Sequence, residues 1–168
     1  LTDKKYKNFA LRMLQKSNGL PVSFEVFGDE HNEMLQQARI ISSWDDSIYV
    51  KIPIVNSKGI SSRCVIEQLN SENIKLNITA VFSLEQIKTA FDSLKNKDIP
   101  NIISVFAGRI ADTGQDAKFY MKYAHELCKN YKQIELLWAS VREVNNIFEA
   151  IETNCEIITI PDSILKKT

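Results

Sequence analysis

The sequence predicts an α/β fold in which a parallel sheet curls into a barrel. Two observations lead to this class: short β-branched and aromatic runs alternate with longer amphipathic runs, and polar side chains recur on one face of the short runs. Strand, helix and strand in succession form right-handed crossovers, which make the strands parallel. The six predicted strands are Val22–Phe27, Ile48–Ile54, Leu76–Phe82, Ile102–Phe106, Glu135–Ser140 and Ile157–Ile160.

Amphipathic helices are predicted in the segments that connect these strands. Apolar residues three or four positions apart, as in Ile87–Leu94, give each segment one apolar face. Two capping boxes directly after strands, Ser83–Gln86 and Ser140–Glu143, predict where helices begin. The segments Asn18–Gly19 and Asn96–Pro100 predict where the preceding helices end.

The alternation of side chains along a strand divides each predicted strand into two faces. In the second strand every other residue is isoleucine or valine, and Lys51 lies on the opposite face. Other strands are expected to place these side chains on the same face as Lys51: Ser23, Glu25, Asn77, Thr79, Ser104, Phe106, Trp138, Ser140 and Thr159. Ala80, Leu137 and Ala139 are expected on the apolar face. A doubly wound sheet is apolar on both faces, so one polar face favours a barrel with its site inside.

Lys51 is the most informative single residue. Burying an ammonium group costs several kcal/mol unless it is paired or loses its proton, and a neutral lysine amine can attack a carbonyl carbon. From the residues alone, a buried ion pair between Lys51 and Glu25 explains the lysine equally well. The sequence therefore leaves two hypotheses for this strand, a nucleophilic amine and a structural ion pair.

Four segments have the order, spacing and strand context of one enzyme family: Tyr49–Pro53, Asn77–Ser83, Ile103–Ile110 and Ala139–Arg142. Together they resemble the transaldolase family, which includes the fructose-6-phosphate aldolases, and the resemblance extends from about Val22 to about Leu165. It implies a (β/α)8 TIM barrel of the transaldolase type, of which this chain would hold six βα units. Residues 1–168 would form one barrel domain.

The resemblance implies a role for three residues in the chemistry. Lys51 would form a Schiff base with the C2 carbonyl of a ketose phosphate, and the protonated imine would accept electrons during C3–C4 cleavage. Glu25 and Thr79 match the family positions that hold a catalytic water, which relays protons. Without that role, Glu25 would form a salt bridge and Thr79 would be a hydrogen-bonded strand hydroxyl.

The resemblance also implies which residues bind substrate. Asn77 and Ser104 match positions that bind the hydroxyls of the dihydroxyacetone unit. Arg109, Ser140 and Arg142 match a phosphate site, in which guanidinium groups bind bidentately and a helix that begins at Ser140 offers free N–H groups. Otherwise Ser140 would only cap a helix and the arginines would be surface charges.

Two positions bear on the reaction. Transaldolases carry glutamate and phenylalanine at the positions of Glu25 and Phe106. The aldolase branch carries glutamine and tyrosine there. A phenylalanine supplies no acid to protonate the carbanion, which would then persist until an acceptor aldehyde arrives. The resemblance thus implies a transaldolase of pentose phosphate metabolism that transfers dihydroxyacetone to an aldehyde phosphate. A fructose-6-phosphate-type aldolase and an inactive sugar-phosphate-binding barrel are the alternatives, and no cofactor or metal is implied.

The family pattern is incomplete at its beginning. The aspartate of the first strand and the Thr-Thr-Asn-Pro segment of the second do not occur, and Lys4–Gln15 has the pattern of the helix that follows them. The chain is therefore expected to be an N-terminally truncated barrel. Either flanking segments complete it, or a short family member completes its sheet as a homo-oligomer.

Composition excludes several classes of function. With 21 basic and 21 acidic residues, there is no electrostatic argument for binding nucleic acid or a membrane. No run is apolar enough to cross a bilayer. Cys64, Cys128 and Cys155 are far apart and are expected to be free thiols in a reducing cytoplasm. His31 and His125 have no potential partner at ligand spacing and are expected at the surface.

Overall fold

The structure is a computed structural model that describes residues 4–95 and 98–167. These residues form six strands: β1 (Val22–Glu25), β2 (Ile48–Pro53), β3 (Leu76–Val81), β4 (Asn101–Val105), β5 (Ile134–Trp138) and β6 (Ile157–Ile158). They also form eight helices: α1 (Lys4–Ser17), α2 (His31–Ser42), α3 (Arg63–Ser71), α4 (Leu84–Ser93), α5 (Ala107–Asp112), α6 (Ala117–Cys128), α7 (Asn145–Glu152) and α8 (Asp162–Leu165).

All six strands belong to one parallel sheet, in the order in which they occur along the chain. The sheet curls into a half-barrel with helices on its outside. The predicted class and the six predicted strands are confirmed, although several strands end one or two residues earlier than expected. Among the described residues, β1 and β6 each pair on one side only.

The core lies between the outer face of the sheet and the helices. On β2 the side chains of Ile48, Val50 and Ile52 are buried in it, as the alternation predicted. Met34, Ile41, Ile66 and Leu69 meet them from the helices. Lys51 consequently points to the concave inner face, because its neighbours along the strand fill the outer one.

The predicted alternation is wrong for β5. Leu137 pairs with Ser104 of β4 and lines the inner face together with Ala139, whereas Trp138 is fully buried in the outer core. The physical reason is packing: the large indole gains most by burial under the helices. Its Nε1 has no hydrogen-bond partner among the described residues.

A β-bulge also changes the alternation on β3. The register with β4 shifts between Ile78 and Val81, and Ala80 has a positive φ of 57°. As a result Val81 takes the place in the outer core that Ala80 was expected to occupy. The bulge re-aims the end of β3, next to the site described below.

One predicted helix start is confirmed and one is wrong. Ser83 Oγ accepts a hydrogen bond from the Gln86 N–H at 3.1 Å and caps α4. Ser140 caps no helix, since α7 begins five residues later and Ser140 itself has a φ of 65°. The end predicted at Asn18–Gly19 is confirmed by two positive φ angles. Of the other predicted end, Asn96 and Lys97 lie outside the described residues.

Candidate active site

A cavity of about 950 Å³ occupies the inner face of the half-barrel. All six strands and the loop before β1 contribute to its wall. Six of the nine residues singled out from the sequence line it: Lys51, Asn77, Ser104, Phe106, Arg109 and Ser140. The structure thus brings together residues that are up to 89 positions apart in the chain.

Lys51 lies next to Glu25 across the β1–β2 pair. Its Nζ is 3.7 Å from Glu25 Oε2, and the two side chains are 28% and 48% exposed. A contact of this length between partly hydrated groups is not the buried ion pair that the sequence left open. The amine is held in place by its strand and remains accessible from the cavity.

A chain of hydrogen bonds crosses the wall beside Lys51. Asn77, the β3 neighbour of Lys51, donates from Nδ2 to Ser23 Oγ at 3.0 Å. Ser104 Oγ donates to Asn77 Oδ1 at 2.7 Å. These bonds fix the orientation of the Asn77 amide. They use one of its two N–H donors and one of the two lone pairs on its oxygen. A polar group fixed in this way is suited to bind hydroxyls of a ligand.

Thr79 and Glu25 lie at the edge of this arrangement and do not line the cavity. Thr79 pairs with Pro53 and is 1% exposed. Its Oγ1 is buried and has no partner among the described residues. The ordinary explanation, a strand hydroxyl bonded to the protein, therefore does not hold. A buried hydroxyl without a protein partner is a place where an ordered water is expected.

The basic groups lie at the rim. The Arg109 guanidinium is 5.3 Å from the centre of the Phe106 ring, and its side chain is exposed at the cavity. Arg142 is not part of the cavity wall. Its Nη2 donates to Asp112 Oδ2 at 2.8 Å, in an ion pair whose side chains are 50% and 53% exposed.

The expected free N–H groups after Ser140 are occupied. The backbone N–H groups of Arg142 and Glu143 donate to Asn146 Oδ1 at 2.9 and 3.2 Å. The prediction of a helix that begins at Ser140 is therefore wrong, and phosphate binding at Ser140 stays a prediction. Only the cavity position of Ser140 is confirmed.

The β5–α7 loop packs against α5 at Gly108. A Cβ on this glycine would lie 1.6 Å from the Ser140 carbonyl oxygen, and the Gly108 N–H donates to Ala139 O at 3.3 Å. Only glycine permits this close approach. Arg109 and Ser140 are therefore held side by side by backbone contact. No pattern in the sequence indicates this contact beyond the glycine itself.

Sequence reasoning missed the apolar floor of the cavity. Tyr49, Ile102, Leu137 and Ala139 form a small cluster, separate from the outer core. Glu135 lines the cavity beside it. Burial raises the pKa of Tyr49 above its ordinary value of 10.0, and the Glu135 carboxylate raises it further. The alternation of β5 contained this information, because Glu135, Leu137 and Ala139 are two residues apart and lie on the same face of the strand.

Two further observations concern the described residues as a whole. They contain no group of three or more His, Cys, Asp or Glu side chains placed to hold a metal ion. No helix among them combines the length and the apolar character needed to span a membrane.

A family model described as Transaldolase/Fructose-6-phosphate aldolase matches residues 3–168. The chain belongs to the transaldolase/fructose-6-phosphate aldolase family. A probable transaldolase 2 from Listeria monocytogenes is 34% identical over 148 residues, which are 88% of this chain and 64% of that protein. A probable transaldolase from Herpetosiphon aurantiacus is 29% identical over 165 residues, 98% of this chain and 70% of that protein.

A probable transaldolase from Streptococcus pyogenes is 32% identical over 148 residues, 88% of this chain and 65% of that protein. The chain thus spans about two thirds of the length of these relatives. Within the transaldolase/fructose-6-phosphate aldolase family, the half-barrel is an incomplete TIM-type barrel, as predicted. The description of the family covers both transaldolase and fructose-6-phosphate aldolase, and it leaves the reaction of this chain open.

Proposed function

We propose that this site forms a Schiff base through Lys51 and transfers a dihydroxyacetone unit from a ketose phosphate to an aldehyde phosphate. The observation that carries the proposal is the position of Lys51: an inward-facing amine on a parallel strand, 3.7 Å from a carboxylate and open to a cavity with polar and apolar walls. Family membership supports the same chemistry. Residues 1–168 act in this proposal as one barrel domain.

The reaction begins when the amine of Lys51 attacks C2 of the ketose phosphate. Loss of water gives a protonated imine, which accepts the electron pair released when the C3–C4 bond breaks. Glu25 and Thr79 hold a water that carries protons to and from these groups. The Thr79 hydroxyl without a protein partner supports this role, because it needs a small polar ligand.

Asn77 and Ser104 bind the hydroxyls of the three-carbon unit. Asn77 pairs with Lys51 across the β2–β3 pair, and Ser104 on β4 is hydrogen-bonded to the Asn77 amide. Phe106 presents only hydrocarbon to the cavity. Phe106 therefore does not protonate the carbanion, which persists until an aldehyde binds. This favours transfer over release of free dihydroxyacetone.

The phosphate group binds at the rim. Arg109 and Ser140 line the cavity there, and Arg142 reaches the same place when it exchanges Asp112 for phosphate. The substrate is then held at one end by charge and at the other by the imine. We place this activity in sugar-phosphate metabolism of the cytoplasm. In this proposal a homo-oligomer is one way to complete the open sheet.

The test is chemical trapping. The purified chain is incubated with fructose 6-phosphate and borohydride, and its mass is measured. We expect one sugar-derived adduct in the wild type and in Lys75→Ala, a control lysine that lies near Tyr49, and none in Lys51→Ala. If a wild-type chain with a cooperative thermal transition gains no adduct, the proposed Schiff-base function is wrong.

Two alternatives predict other results. An aldolase releases free dihydroxyacetone in the absence of an acceptor, and the family model covers that reaction as well. An inactive barrel binds sugar phosphate without trapping, and an Arg109→Ala, Arg142→Ala double variant abolishes that binding. Assays of free dihydroxyacetone and of phosphate affinity distinguish these two from transfer.

A further inference from the structure

A cysteine and a histidine meet outside the cavity. His31 is the first residue of α2, and Cys64 is the second residue of α3. Cys64 Sγ lies 3.3 Å from His31 Nδ1, within hydrogen-bonding distance for sulfur. From the sequence, His31 was expected at the surface without a partner at metal-ligand spacing. It is partly buried and lies beside Cys64, because the parallel sheet places the two helix starts side by side.

The environment of His31 differs from that of a solvated surface histidine. The residue is partly buried, and its Nε2 atom is buried without a hydrogen-bond partner among the described residues. The ring is therefore held by packing, and its Nδ1 side is the one that faces the thiol. In the tautomer that carries its proton on Nε2, a ring held in this orientation can accept the Cys64 proton at Nδ1.

The other two thiols are less accessible than Cys64. Cys128 is buried in the core. Cys155 donates from Sγ to the carbonyl oxygens of Leu136 and Ile157, and burial raises its pKa to about 11. Cys64 is exposed, so small reagents can approach it. Among the three cysteines, Cys64 alone combines access with a neighbouring base.

We propose that Cys64 is a modification site for low-molecular-weight disulfides and that His31 is the base that activates it. His31 Nδ1 takes the thiol proton, and the Cys64 sulfur attacks one sulfur of the disulfide. A new S–S bond forms as the old one breaks, and the second sulfur leaves as a thiolate. The disulfide is the oxidant, and the products are a mixed disulfide on Cys64 and one free thiolate.

The first turn of α3 favours this reaction. The helix is nine residues long, and its aligned peptide dipoles give its start a partial positive charge. That charge stabilises negative charge on sulfur as the proton leaves. Cys64 also follows the β2–α3 loop, in which Lys58 binds Glu30 and Ser57 binds Asp29. These bonds join the β1–α2 and β2–α3 loops.

The experiment measures the rate at which the folded chain reacts with 5,5′-dithiobis(2-nitrobenzoate), with the modified residue located by peptide mass. The chain has two histidines, so His125→Gln is a matched control for His31→Gln. We expect Cys64 to react first, His31→Gln to slow it roughly tenfold or more, and His125→Gln to leave the rate unchanged. Cys64→Ser should abolish the fast phase.

The proposal is overturned if both histidine variants react at the wild-type rate, or if Cys155 reacts before Cys64. If the His31→Gln chain does not fold, a second measurement on the wild type replaces the comparison. The wild-type Cys64 rate is then compared with that of the same chain unfolded in urea. A folded rate above the unfolded one supports the proposal, and a folded rate equal to or below it contradicts the proposal. Neither result depends on the proposed transferase function.

Discussion

At the scale of single residues, charge pairs decide which groups are available to a ligand. Lys51 touches Glu25 only loosely, whereas Arg142 is bound to Asp112 by two hydrogen bonds to one oxygen, at 2.8 and 3.2 Å. An ion pair with a carboxylate therefore leaves the Lys51 amine accessible to a ligand, whereas it occupies the Arg142 guanidinium. A phosphate that binds at the rim has to compete with the Asp112 carboxylate.

Replacing Asp112 with Asn should strengthen phosphate binding several-fold. The substitution removes a competing negative charge from Arg142 and removes repulsion of the anion. The free energy of unfolding should change by less than about 1 kcal/mol, because the pair is exposed. Inhibition by inorganic phosphate and a urea titration measure the two effects.

Asp162→Asn is the matched control, since Asp162 forms an exposed pair with Lys166. It should leave both phosphate affinity and stability unchanged. Weaker phosphate binding by Asp112→Asn would mean that Asp112 orients Arg142 for phosphate instead of competing with it.

At the scale of secondary structure elements, strands and helices were predictable wherever hydrophobic periodicity is strong. The inward position of Lys51 followed from the isoleucines and valines around it. The alternation of β5 could not be predicted in this way. The polarity of the residues suggested that the Trp138 indole faces inward, whereas packing places it in the outer core. The start of α7 was missed because Asn146, three residues after Glu143, accepts from the Glu143 N–H, which the Ser140 side chain would bind in a capping box. Such tertiary and loop contacts outweigh local propensity.

The close contact between α5 and the β5–α7 loop at Gly108 leads to a prediction at this scale. Gly108→Ala should destabilise the chain by roughly 1 to 3 kcal/mol, because the new methyl group overlaps the Ser140 carbonyl and the backbone has to move. It should also weaken sugar-phosphate binding, since Arg109 and Ser140 are displaced together. Thermal unfolding and phosphate affinity are the measurements.

Gly114→Ala provides the comparison for this variant. Gly114 has a φ of 80°, and a Cβ added to it would meet nothing within 4 Å, so the substitution reports backbone strain alone. That strain costs about 1 to 2 kcal/mol. Gly114→Ala should leave phosphate affinity unchanged. If both variants weaken binding equally, the Gly108 contact does not position the site.

At the scale of the whole molecule, the sequence predicted a barrel that is open on one side, and the structure has that shape among its described residues. The curl of the sheet followed from the single polar face. The composition of the cavity floor did not follow, because apolar residues on the inner face look like core residues in a sequence. Family segments identified six of the residues that line the cavity, since they specify positions and not only polarity.

Surface charge leads to the last prediction. Acidic and basic residues are equal in number, and hydrogen bonds from Arg39, Lys88 and Lys118 hold the pKa values of Glu72, Asp92 and Glu152 below their ordinary range. A carboxylate with a lowered folded pKa stabilises the fold above its unfolded pKa, and this contribution is lost as pH falls through the folded value. The thermal midpoint should therefore fall steadily once pH drops below the ordinary values of 4.5 for glutamate and 3.8 for aspartate.

Glu72→Gln tests the origin of this acid sensitivity. Glu72 joins α3 to α2 through a bidentate pair with Arg39, with contacts of 2.6 and 2.8 Å. Removing its charge should lower the thermal midpoint at about pH 7 and make the midpoint less dependent on pH between about 5 and 3. Glu85→Gln, on the exposed side of α4, is the control and should keep the wild-type dependence. An unchanged pH profile in Glu72→Gln would assign the acid sensitivity to net positive charge on the whole chain, because 21 basic residues then lack counter-charges.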